Sequence, residues 1–287
     1  YLFDDGRARR WAPFSLTRPV GELLFGCMTF RKRLERVFGI TCLGHLSRRA
    51  LVGFDEADSA PGISLDDVAE NGTRIILSSR AVPEFQDFQL PTEPAWITVN
   101  GTPAGWVLPP GTELPSELWL RDPSINPGYS HMLELNGEIL EHPWNLVACN
   151  PARVQADIET LWPQHSVPDG SIIVGDGLVS LGSGAEVEPG IVFDTRQGPI
   201  RLAERTRIEG PARLTGPLYI GPESVILGGT VATSSIGPVC RLRGEVSKSV
   251  FIGFANKSHS GYLGHALVGR WVNLGALTTN SDLKNNY

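Results

Sequence analysis

The chain has 287 residues, enough for one large domain or two of ordinary size, and two is the preferred interpretation. Hydrophobic residues make up 41% and charged residues 20% of the chain, which excludes global disorder. The net charge of −6 argues against a nucleic-acid partner, because such domains carry a basic surface. The four cysteines are widely spaced, no apolar run reaches the roughly 18 residues of a membrane span, and the first residues do not form a signal peptide. We therefore expect a cytoplasmic protein without a membrane partner, a zinc framework or a disulfide framework.

The first part of the chain mixes strand and helix patterns. Apolar or β-rich runs predict strands at 1–3, 74–77, 96–99 and 106–108. A helix is predicted over 29–38. Its inward residues are expected to be Phe30, Leu34, Val37 and Phe38, and its basic outer face Arg31, Lys32, Arg33 and Arg36.

A second helical stretch is predicted within 144–162. Val154, Ile158 and Leu161 share one face, whereas Asp157 and Glu159 are expected to point outward. Because proline cannot continue a helix, Pro163 and Pro168 are expected to end it.

Glycine and proline concentrate in residues 168–240, which hold 13 Gly and 7 Pro. Within and beyond this region, apolar residues recur at intervals of six, a period that suits a solenoid with three short strands per coil of about 18 residues. The small residue or glycine that often follows each of them is expected to allow positive φ at a turn. The alternative is an irregular β-sandwich with accidental spacing. The apolar set comprises Leu181, Val187, Phe193, Leu202, Ile208, Leu214, Ile220, Ile226, Val268 and Leu274.

These patterns predict three regions. Residues 1–143 form an α/β domain, 144–170 a helical connector, and 171–287 the solenoid. The six-residue regularity is then interrupted by polar residues between Asn256 and Asn273, which a solenoid does not need for its fold. Such a break in a regular pattern indicates a functional site.

The segment from His259 through Tyr262-Leu263-Gly264 to Val272-Asn273-Leu274-Gly275-Ala276 resembles the hexapeptide-repeat acyltransferases. It is most similar to the C-terminal half of the bifunctional N-acetylglucosamine-1-phosphate uridylyltransferase/glucosamine-1-phosphate acetyltransferase family. The resemblance implies a left-handed parallel β-helix, incomplete at residue 287, and a homotrimer. It also implies acetyl-coenzyme A as co-substrate, bound by coils beyond that residue.

The resemblance further implies roles for single residues. His259 stands where the family has the base that deprotonates the attacking amine, a task that suits an imidazole. Tyr262 and Asn273 stand where the family contacts the sugar phosphate and the amine. The alternative for His259 is a solvated turn histidine. A family lysine that grips the acceptor phosphate aligns with Ser247, so Lys248 is a candidate to replace it only with a one-residue shift. Lys257 is a further candidate substrate-binding residue.

The N-terminal part resembles sugar nucleotidyltransferases, in a divergent bacterial form that opens with Leu2-Phe3-Asp4-Asp5-Gly6-Arg7 and continues to Thr17-Arg18-Pro19. On this resemblance Arg18 and Arg7 are candidate phosphate ligands, because guanidinium groups bind phosphate oxygens in pairs. The alternative for Arg18 is a structural role at the proline turn.

The metal site of that family is altered here. Its Asn-Gly-Asp motif is represented by Asn100-Gly101-Thr102, so the carboxylate that holds Mg²⁺ is replaced by Thr102, although Asn100 stays a candidate phosphate-binding residue. Asp4 and Asp5 are the alternative carboxylate ligands for Mg²⁺, or an ordinary solvated pair. Asn100-Gly101 is also a typical two-residue hairpin turn.

Three functions follow from these residues. The first is transfer of an acyl group, with acetyl passing from acetyl-coenzyme A to an amino-sugar phosphate. The second is transfer of a nucleotidyl group from a nucleoside triphosphate, UTP or dTTP, to a sugar 1-phosphate, alone or in a bifunctional enzyme. The third is a non-catalytic trimeric scaffold, which Thr102 favours for the N-terminal part and the spacing of His259, Tyr262 and Asn273 opposes for the C-terminal part.

Overall fold

The computed structural model describes residues 1–125 and 128–280. The chain divides into two compact units. The first comprises Tyr1–Leu23 and Thr29–Pro143, and the second comprises Leu24–Met28 and the chain from Trp144 onward. Residues 281–287 of the predicted β-helix lie outside the described residues.

The α-helices are short. They are α1 (Phe14–Thr17), α2 (Phe30–Phe38), α3 (Glu117–Arg121), α4 (Asn145–Ala148) and α5 (Asn150–Leu161).

Strands of the first unit, together with a small hairpin that precedes α2, cover the predicted β-rich runs. They are β1 (Leu2–Phe3), β2 (Leu24–Phe25), β3 (Met28–Thr29), β4 (His45–Leu46), β5 (Gly62–Ile63), β6 (Arg74–Ser78), β7 (Ala81–Pro83), β8 (Ala95–Val99), β9 (Thr102–Leu108), β10 (His131–Leu135) and β11 (Gly137–Ile139).

The first unit is built on a mixed seven-stranded sheet with the order β10-β8-β9-β6-β1-β4-β5. Strands β6, β1, β4 and β5 run parallel, so their carboxyl ends share one edge. The chain adds β4 and β5 on one side of β1 and then returns to place β6 on the other side. Such a reversal of strand order is the place where open α/β sheets bind ligands.

Apolar side chains cover both faces of this sheet. One cluster contains Leu77, Ile97 and Val107, and the other contains Phe3 and Trp106. The rings of Phe3 and Trp106 stack with their centroids 5.4 Å apart. The sheet is therefore packed against apolar side chains on both of its faces.

Helix α2 confirms the predicted helix but not its surface. Thr29 caps it by accepting a hydrogen bond from the backbone N–H of Lys32 at 3.2 Å, and Gly39 ends it at φ 66°. The predicted basic outer face is wrong for Arg31 and Arg33, which are both buried. Arg31 pairs with the carboxylates of Glu22 and Glu35, and a partner of opposite charge is what allows a guanidinium to be buried.

The predicted helical stretch at 144–162 consists of two helices, α4 and α5. Val154 and Ile158 are buried as expected, but the expectation that Asp157 points outward is wrong. Its carboxylate is fully buried, where it accepts hydrogen bonds from Arg153 Nε at 2.9 Å and from the backbone N–H of Cys27 at 3.0 Å. Cys27 belongs to the β2–β3 hairpin, which is part of the second unit. The β2–β3 hairpin thus supplies a hydrogen-bond donor to the Asp157 carboxylate, which the helical pattern of 144–162 alone could not show.

The rest of the second unit is the predicted parallel β-helix. Its strands are β12 (Ile172–Val174), β13 (Val179–Leu181), β14 (Glu186–Val187), β15 (Val192–Asp194), β16 (Ile200–Leu202), β17 (Arg207–Ile208), β18 (Ala212–Thr215), β19 (Leu218–Ile220), β20 (Val225–Ala232), β21 (Ser235–Ile236), β22 (Arg241–Ser247), β23 (Val250–Phe251), β24 (Asn256–Lys257), β25 (Tyr262–Gly264) and β26 (Leu267–Val268).

The strands form the three faces of a prism. The first face stacks β14, β17, the start of β20, the start of β22, and β24. The second stacks β12, β15, β18, the end of β20, the end of β22, and β25. The third stacks β13, β16, β19, β21, β23 and β26. The architecture is that of a left-handed β-helix, as expected.

The predicted apolar set fills the interior of this prism. All ten residues belong to one apolar cluster, and Leu202, Ile208, Leu214, Ile220 and Ile226 are completely buried within it. The six-residue period therefore arises because each short strand places one of these apolar side chains inside the prism.

The expected role of the glycines after these apolar residues is wrong. Gly182 and Gly221 have no positive φ. A Cβ at Gly221 would instead lie 2.7 Å from the carbonyl carbon of Gly237 in the next coil, and one at Gly182 would lie 2.5 Å from Ala203. The glycines thus allow adjacent coils to approach closely.

Positive φ in the turns occurs at other glycines, such as Gly184, and also at larger residues. Among them are Arg205, Glu223, Val239, Phe254 and Trp271, each two positions before a strand or bridge residue of the first face.

Within residues 1–125 and 128–280, no helix is both long and apolar enough to cross a bilayer. The four cysteines, all of which are described, form no disulfide.

We predict that Gly221→Ala destabilises the β-helix, because the added methyl group would press against the backbone of the next coil. Overpacking of this kind costs about 1–3 kcal/mol, so the melting temperature of the second unit should fall. Gly275→Ala is the matched control, since its Cβ would meet nothing closer than 3.9 Å and its φ is not positive. Equal melting temperatures for the two variants in a calorimetric scan would contradict the close-approach interpretation.

Candidate functional site

Polar residues gather where the parallel strands of the first unit end. Asp4 follows β1, Ser47 follows β4, and Ser79 follows β6. The hydroxyl of Ser79 donates to Asp4 Oδ1 at 2.5 Å, and that of Ser47 donates to Asp4 Oδ2. The backbone N–H of Val20 also donates to this carboxylate. Burial raises the pKa of Asp4, although these hydrogen bonds act to lower it.

Asp5 is buried beside Asp4 but has different partners. Arg80, which follows β6, donates to Asp5 Oδ1 from Nε at 3.0 Å and to Asp5 Oδ2 from Nη2 at 2.8 Å. Ser78 Oγ donates to Oδ2 at 2.9 Å, and the backbone N–H groups of Arg7 and Ala8 donate to Oδ1. Asp5 therefore fixes the loop that follows β1.

This arrangement does not fit a magnesium ion at Asp4 and Asp5. Magnesium requires carboxylate oxygens with free lone pairs in near-octahedral geometry. The Asp5 oxygens accept several hydrogen bonds and face a guanidinium cation, and both Asp4 oxygens accept hydrogen bonds. The described residues contain no group of three or more His, Cys, Asp or Glu side chains that could hold a metal. Thr102 does lie near Asp5, in the wall of the same cavity.

A cavity of about 720 Å³ opens at the ends of β4 and β5, and we call it the strand-end cavity. It combines four guanidinium groups with one carboxylate and several apolar side chains. Its lining is Arg9, Leu46, Ser47, Arg48, Arg49, Val52, Ile63, Ser64, Leu65, Glu117, Leu120 and Arg121. An excess of arginine beside an apolar wall suits a ligand that carries both phosphates and an apolar ring.

A second cavity of about 480 Å³ lies at the loop after β1, and we call it the loop cavity. Its charges are mixed, with four arginines and three acidic residues. Its lining is Asp5, Gly6, Arg7, Arg10, Arg80, Thr102, Pro103, Arg121, Asp122, Pro123, Ser124 and Glu141. Groups of both signs and several hydroxyls suit a phosphorylated polyol.

Of the predicted phosphate ligands, Arg7 lies in the wall of the loop cavity, where its Nη1 pairs with Glu141. Arg18 is placed differently. Its buried guanidinium forms two hydrogen bonds with Glu56, at 3.0 and 3.1 Å, and it does not line either cavity. A structural role at the proline turn, the alternative kept for Arg18, describes this geometry better.

Asn100 also lies apart from both cavities. With Gly101 it forms the hairpin turn between β8 and β9, where both residues have positive φ, as the alternative interpretation expected. Its Nδ2 donates to the carbonyl of Gly137 at 2.6 Å. The amide thus closes the turn toward β11.

Sequence reasoning missed Arg9, Arg48, Arg49, Arg80 and Arg121 as site residues. The signal was present, because Arg48 and Arg49 come directly after Ser47 at the end of β4, and Arg80 comes two positions after β6. Positively charged residues at the carboxyl ends of parallel strands are expected to face a ligand crevice. The strands themselves are only two to five residues long, too short to locate those ends by pattern.

In the β-helix, the residues implied by the acyltransferase resemblance lie in the last described coils. His259 is exposed in the turn between β24 and β25, and Tyr262, half-buried, begins β25. Asn273 forms a bridge with Asn256 one coil earlier, and the Asn256 side-chain amide donates to Asn273 Oδ1 at 2.7 Å. Ser258 Oγ in turn donates to Asn256 Oδ1. Asn256 is a polar partner that the sequence did not single out.

Lys257 points into the coil rather than toward a substrate. It is 1% exposed, and its ammonium donates to the carbonyls of Arg243, His259 and Gly261 at 3.0–3.1 Å. All three ammonium protons are thereby used. Burial lowers the pKa of Lys257. The prediction of Lys257 as a substrate-binding residue is corrected to a structural role under the His259 turn.

Lys248 lies at a different corner of the prism. It follows β22 with φ 45°, and it is exposed. The residue in register with it one coil later is His265, which follows β25, whereas His259 precedes β25. The structure therefore places Lys248 and His259 at opposite ends of the same face.

The first unit is an α/β domain with arginine-lined cavities at the carboxyl ends of parallel strands. In the sequence it precedes the β-helix. The family model described as sugar nucleotidyl transferase matches residues 1–165. Since the match covers more than half of the chain, the protein belongs to this family of transferases.

The chain is also similar to the bifunctional protein GlmU of Methylococcus capsulatus, with 27% identity over 174 residues. The aligned segment covers 49% of this chain and 37% of that relative. The chain thus spans little more than a third of the length of the curated relative it matches.

We predict that Lys257→Met lowers the melting temperature of the second unit. The substitution leaves buried carbonyl groups without a donor, at about 1–3 kcal/mol for each unsatisfied group, which corresponds to a fall of several degrees. Lys248→Met is the matched control, because Lys248 is exposed. Should Lys257→Met melt at the wild-type temperature, the ammonium would not be what holds this turn.

Proposed function

We propose that the first unit transfers a nucleotidyl group from a nucleoside triphosphate to a sugar 1-phosphate. The observation that carries the proposal is the pair of arginine-lined cavities. The strand-end cavity lies at the ends of β4 and β5, and the loop cavity lies at the loop after β1, the strand at which the order of the sheet reverses. Membership of the sugar nucleotidyl transferase family supports it. The strand-end cavity would take the triphosphate, since its apolar wall suits a nucleobase, and the loop cavity would take the sugar phosphate.

In this reaction a phosphate oxygen of the sugar 1-phosphate attacks the α-phosphorus of the nucleotide. The new P–O bond forms as the bond from the α-phosphorus to the bridging oxygen breaks, and pyrophosphate leaves with that electron pair. Charge develops on the leaving pyrophosphate, and arginine donors fixed beforehand around it stabilise the transition state. Arg9, Arg48 and Arg49 are the residues we assign to this task.

Asp5 and Arg80 would position the loop after β1 rather than bind substrate directly. Their ion pair is buried, and the Asp5 carboxylate holds two N–H groups of that loop. Because Asp4 and Asp5 do not fit Mg²⁺, no step of the proposed reaction passes through a metal held by them.

The nucleotidyl proposal predicts pyrophosphate release that requires both a nucleoside triphosphate and a sugar 1-phosphate. UTP and dTTP are tested first, each with glucose 1-phosphate and N-acetylglucosamine 1-phosphate. Arg49→Gln should lower kcat/KM by about ten-fold or more, since a hydrogen bond to a charged group contributes about 1.5–3 kcal/mol. Lys32→Gln, an exposed change on α2, should leave the rate unaltered. No pyrophosphate release with any pair would refute the proposal.

We propose acyl transfer as a second function, located in the β-helix. The favouring observation is the exposed His259 on a turn whose backbone is held by Lys257, in coils that also carry Tyr262 and the Asn256–Asn273 amide pair. The similarity to a protein named bifunctional supports two activities in one chain. The non-catalytic scaffold does not explain why this turn presents a histidine.

In the proposed reaction His259 accepts a proton from the amine of an amino-sugar phosphate. The amine nitrogen then attacks the thioester carbonyl of acetyl-coenzyme A, an N–C bond forms, and the C–S bond breaks to release the thiolate. Tyr262 and Asn273 would orient the acceptor, and Lys248 would bind its phosphate from the other end of the face. By the same resemblance we propose that the protein is cytoplasmic and forms a homotrimer. Light scattering of the purified chain tests the oligomeric state.

The acyl-transfer proposal predicts release of free thiol from acetyl-coenzyme A that depends on glucosamine 1-phosphate. His259→Ala should lower kcat by about 10²–10⁴-fold, the usual contribution of a general base. His265→Ala, an exposed histidine at the other end of β25, is the matched control and should retain activity. Full activity of His259→Ala would exclude it as the base.

A further inference from the structure

Arg121 belongs to the lining of both the strand-end cavity and the loop cavity. It is the last residue of α3. Nothing in the sequence pattern singles it out, since it stands in an ordinary amphipathic segment between β9 and β10.

The backbone of Arg121 is fixed against the loop after β1. Its carbonyl accepts a hydrogen bond from the backbone N–H of Gly6 at 2.8 Å. A Cβ at position 6 would lie 2.9 Å from that oxygen, so glycine is needed for this approach. The preceding Leu120 is 1% exposed in the apolar cluster around Phe3 and Trp106. The main chain at Arg121 is therefore anchored from two sides.

The guanidinium of Arg121, by contrast, is exposed and makes no ion pair with any described residue. Three other arginines near the loop differ in this respect. Arg80 pairs with Asp5, Arg7 pairs with Glu141, and Arg9 approaches Glu117 at 3.9 Å. An anchored backbone with an uncommitted cation is the arrangement expected of a ligand-binding arginine, because its donors are available without breaking a pair.

We propose that Arg121 contacts both substrates and bridges the α-phosphate of the nucleotide and the phosphate of the sugar. The inference rests on the proposed nucleotidyl transfer. A guanidinium presents five N–H donors in a planar fork, so one side chain can hold an oxygen of each phosphate. It would neutralise the repulsion between two anions that must approach for the P–O bond to form. Arg121 would thus be a catalytic residue that supplies positive charge between the phosphates, since Asp4 and Asp5 do not fit a metal ion.

The kinetic test compares three arginines that differ in which cavity they line. Arg49 lines the strand-end cavity, Arg10 lines the loop cavity, and Arg121 lines both. Arg49→Gln should raise KM for the triphosphate but not for the sugar phosphate, with a smaller fall in kcat than Arg121→Gln causes, and Arg10→Gln should raise KM for the sugar phosphate but not for the triphosphate. Arg121→Gln should raise both KM values and lower kcat by about 10²–10³-fold, as for loss of a transition-state donor. Arg121→Lys should recover less than a tenth of the wild-type kcat, since an ammonium cannot hold two phosphates in a fork.

An effect of Arg121→Gln on KM for one substrate alone would overturn the bridging role, as would an unchanged kcat. Circular dichroism and the melting temperature of each variant are measured alongside, and both are expected to match the wild type because all three side chains reach the surface.

A binding experiment separates this inference from the proposed function. Calorimetric titrations of the whole chain use inorganic tripolyphosphate and glucose 1-phosphate as probes. Arg121→Gln should weaken binding of both probes about ten-fold or more, whereas Arg49→Gln should weaken only tripolyphosphate and Arg10→Gln only glucose 1-phosphate. If no pyrophosphate is released but this pattern is found, the proposed function fails and the bridge stands. Wild-type affinity of Arg121→Gln for both probes overturns the bridge, whatever the activity.

Discussion

The carboxylate of Asp4 is the interaction on which the first unit depends. Strand β1 has only two residues, Leu2–Phe3, yet it is the strand at which the order of the sheet reverses. Asp4 links β1 to the neighbouring strands, because its carboxylate accepts hydrogen bonds from Ser47 after β4 and from Ser79 after β6. It also accepts one from the backbone N–H of Val20. A buried carboxylate without these donors would carry a large desolvation cost. The hydroxyls and the carboxylate therefore require one another, and together they join the ends of β1, β4 and β6.

This requirement explains why the acidic pair does not behave as a metal site. Two adjacent carboxylates at a strand end are typical of metal binding as a sequence pattern, but the pattern does not show which donors surround them. Here Asp4 is used to join strand ends, and Asp5 is used to hold Arg80 and the loop at Arg7. The positive charge of the site is thus supplied by guanidinium groups, which are permanently charged. Asp5 neutralises one of them, and the others face the cavities.

The sequence was sufficient for the β-helix because its period is local. Each inward residue, such as Ile208 or Ile220, is fixed by the short strand that carries it, so spacing alone predicts burial. The same reasoning failed wherever a polar side chain is buried by a partner distant in sequence. Arg31 pairs with Glu22, and Asp157 receives the N–H of Cys27. Local periodicity assigns such residues to the surface, because it contains no information about the distant partner.

Lys257 shows the same limit within the polar segment from Asn256 to Asn273. Its position among polar residues suggested a substrate contact, yet its ammonium is enclosed by three carbonyls from two successive coils. A solenoid coil leaves few backbone carbonyls without a neighbour, because each strand pairs with the coils on either side. The exceptions occur at corners, where the chain turns and the carbonyls point inward. A buried cation at such a corner satisfies several of them at once, and Lys257 does so where polar residues interrupt the regular pattern. The interruption therefore has two parts, an outward histidine and an inward lysine, and the lysine ammonium holds the backbone carbonyl of the histidine.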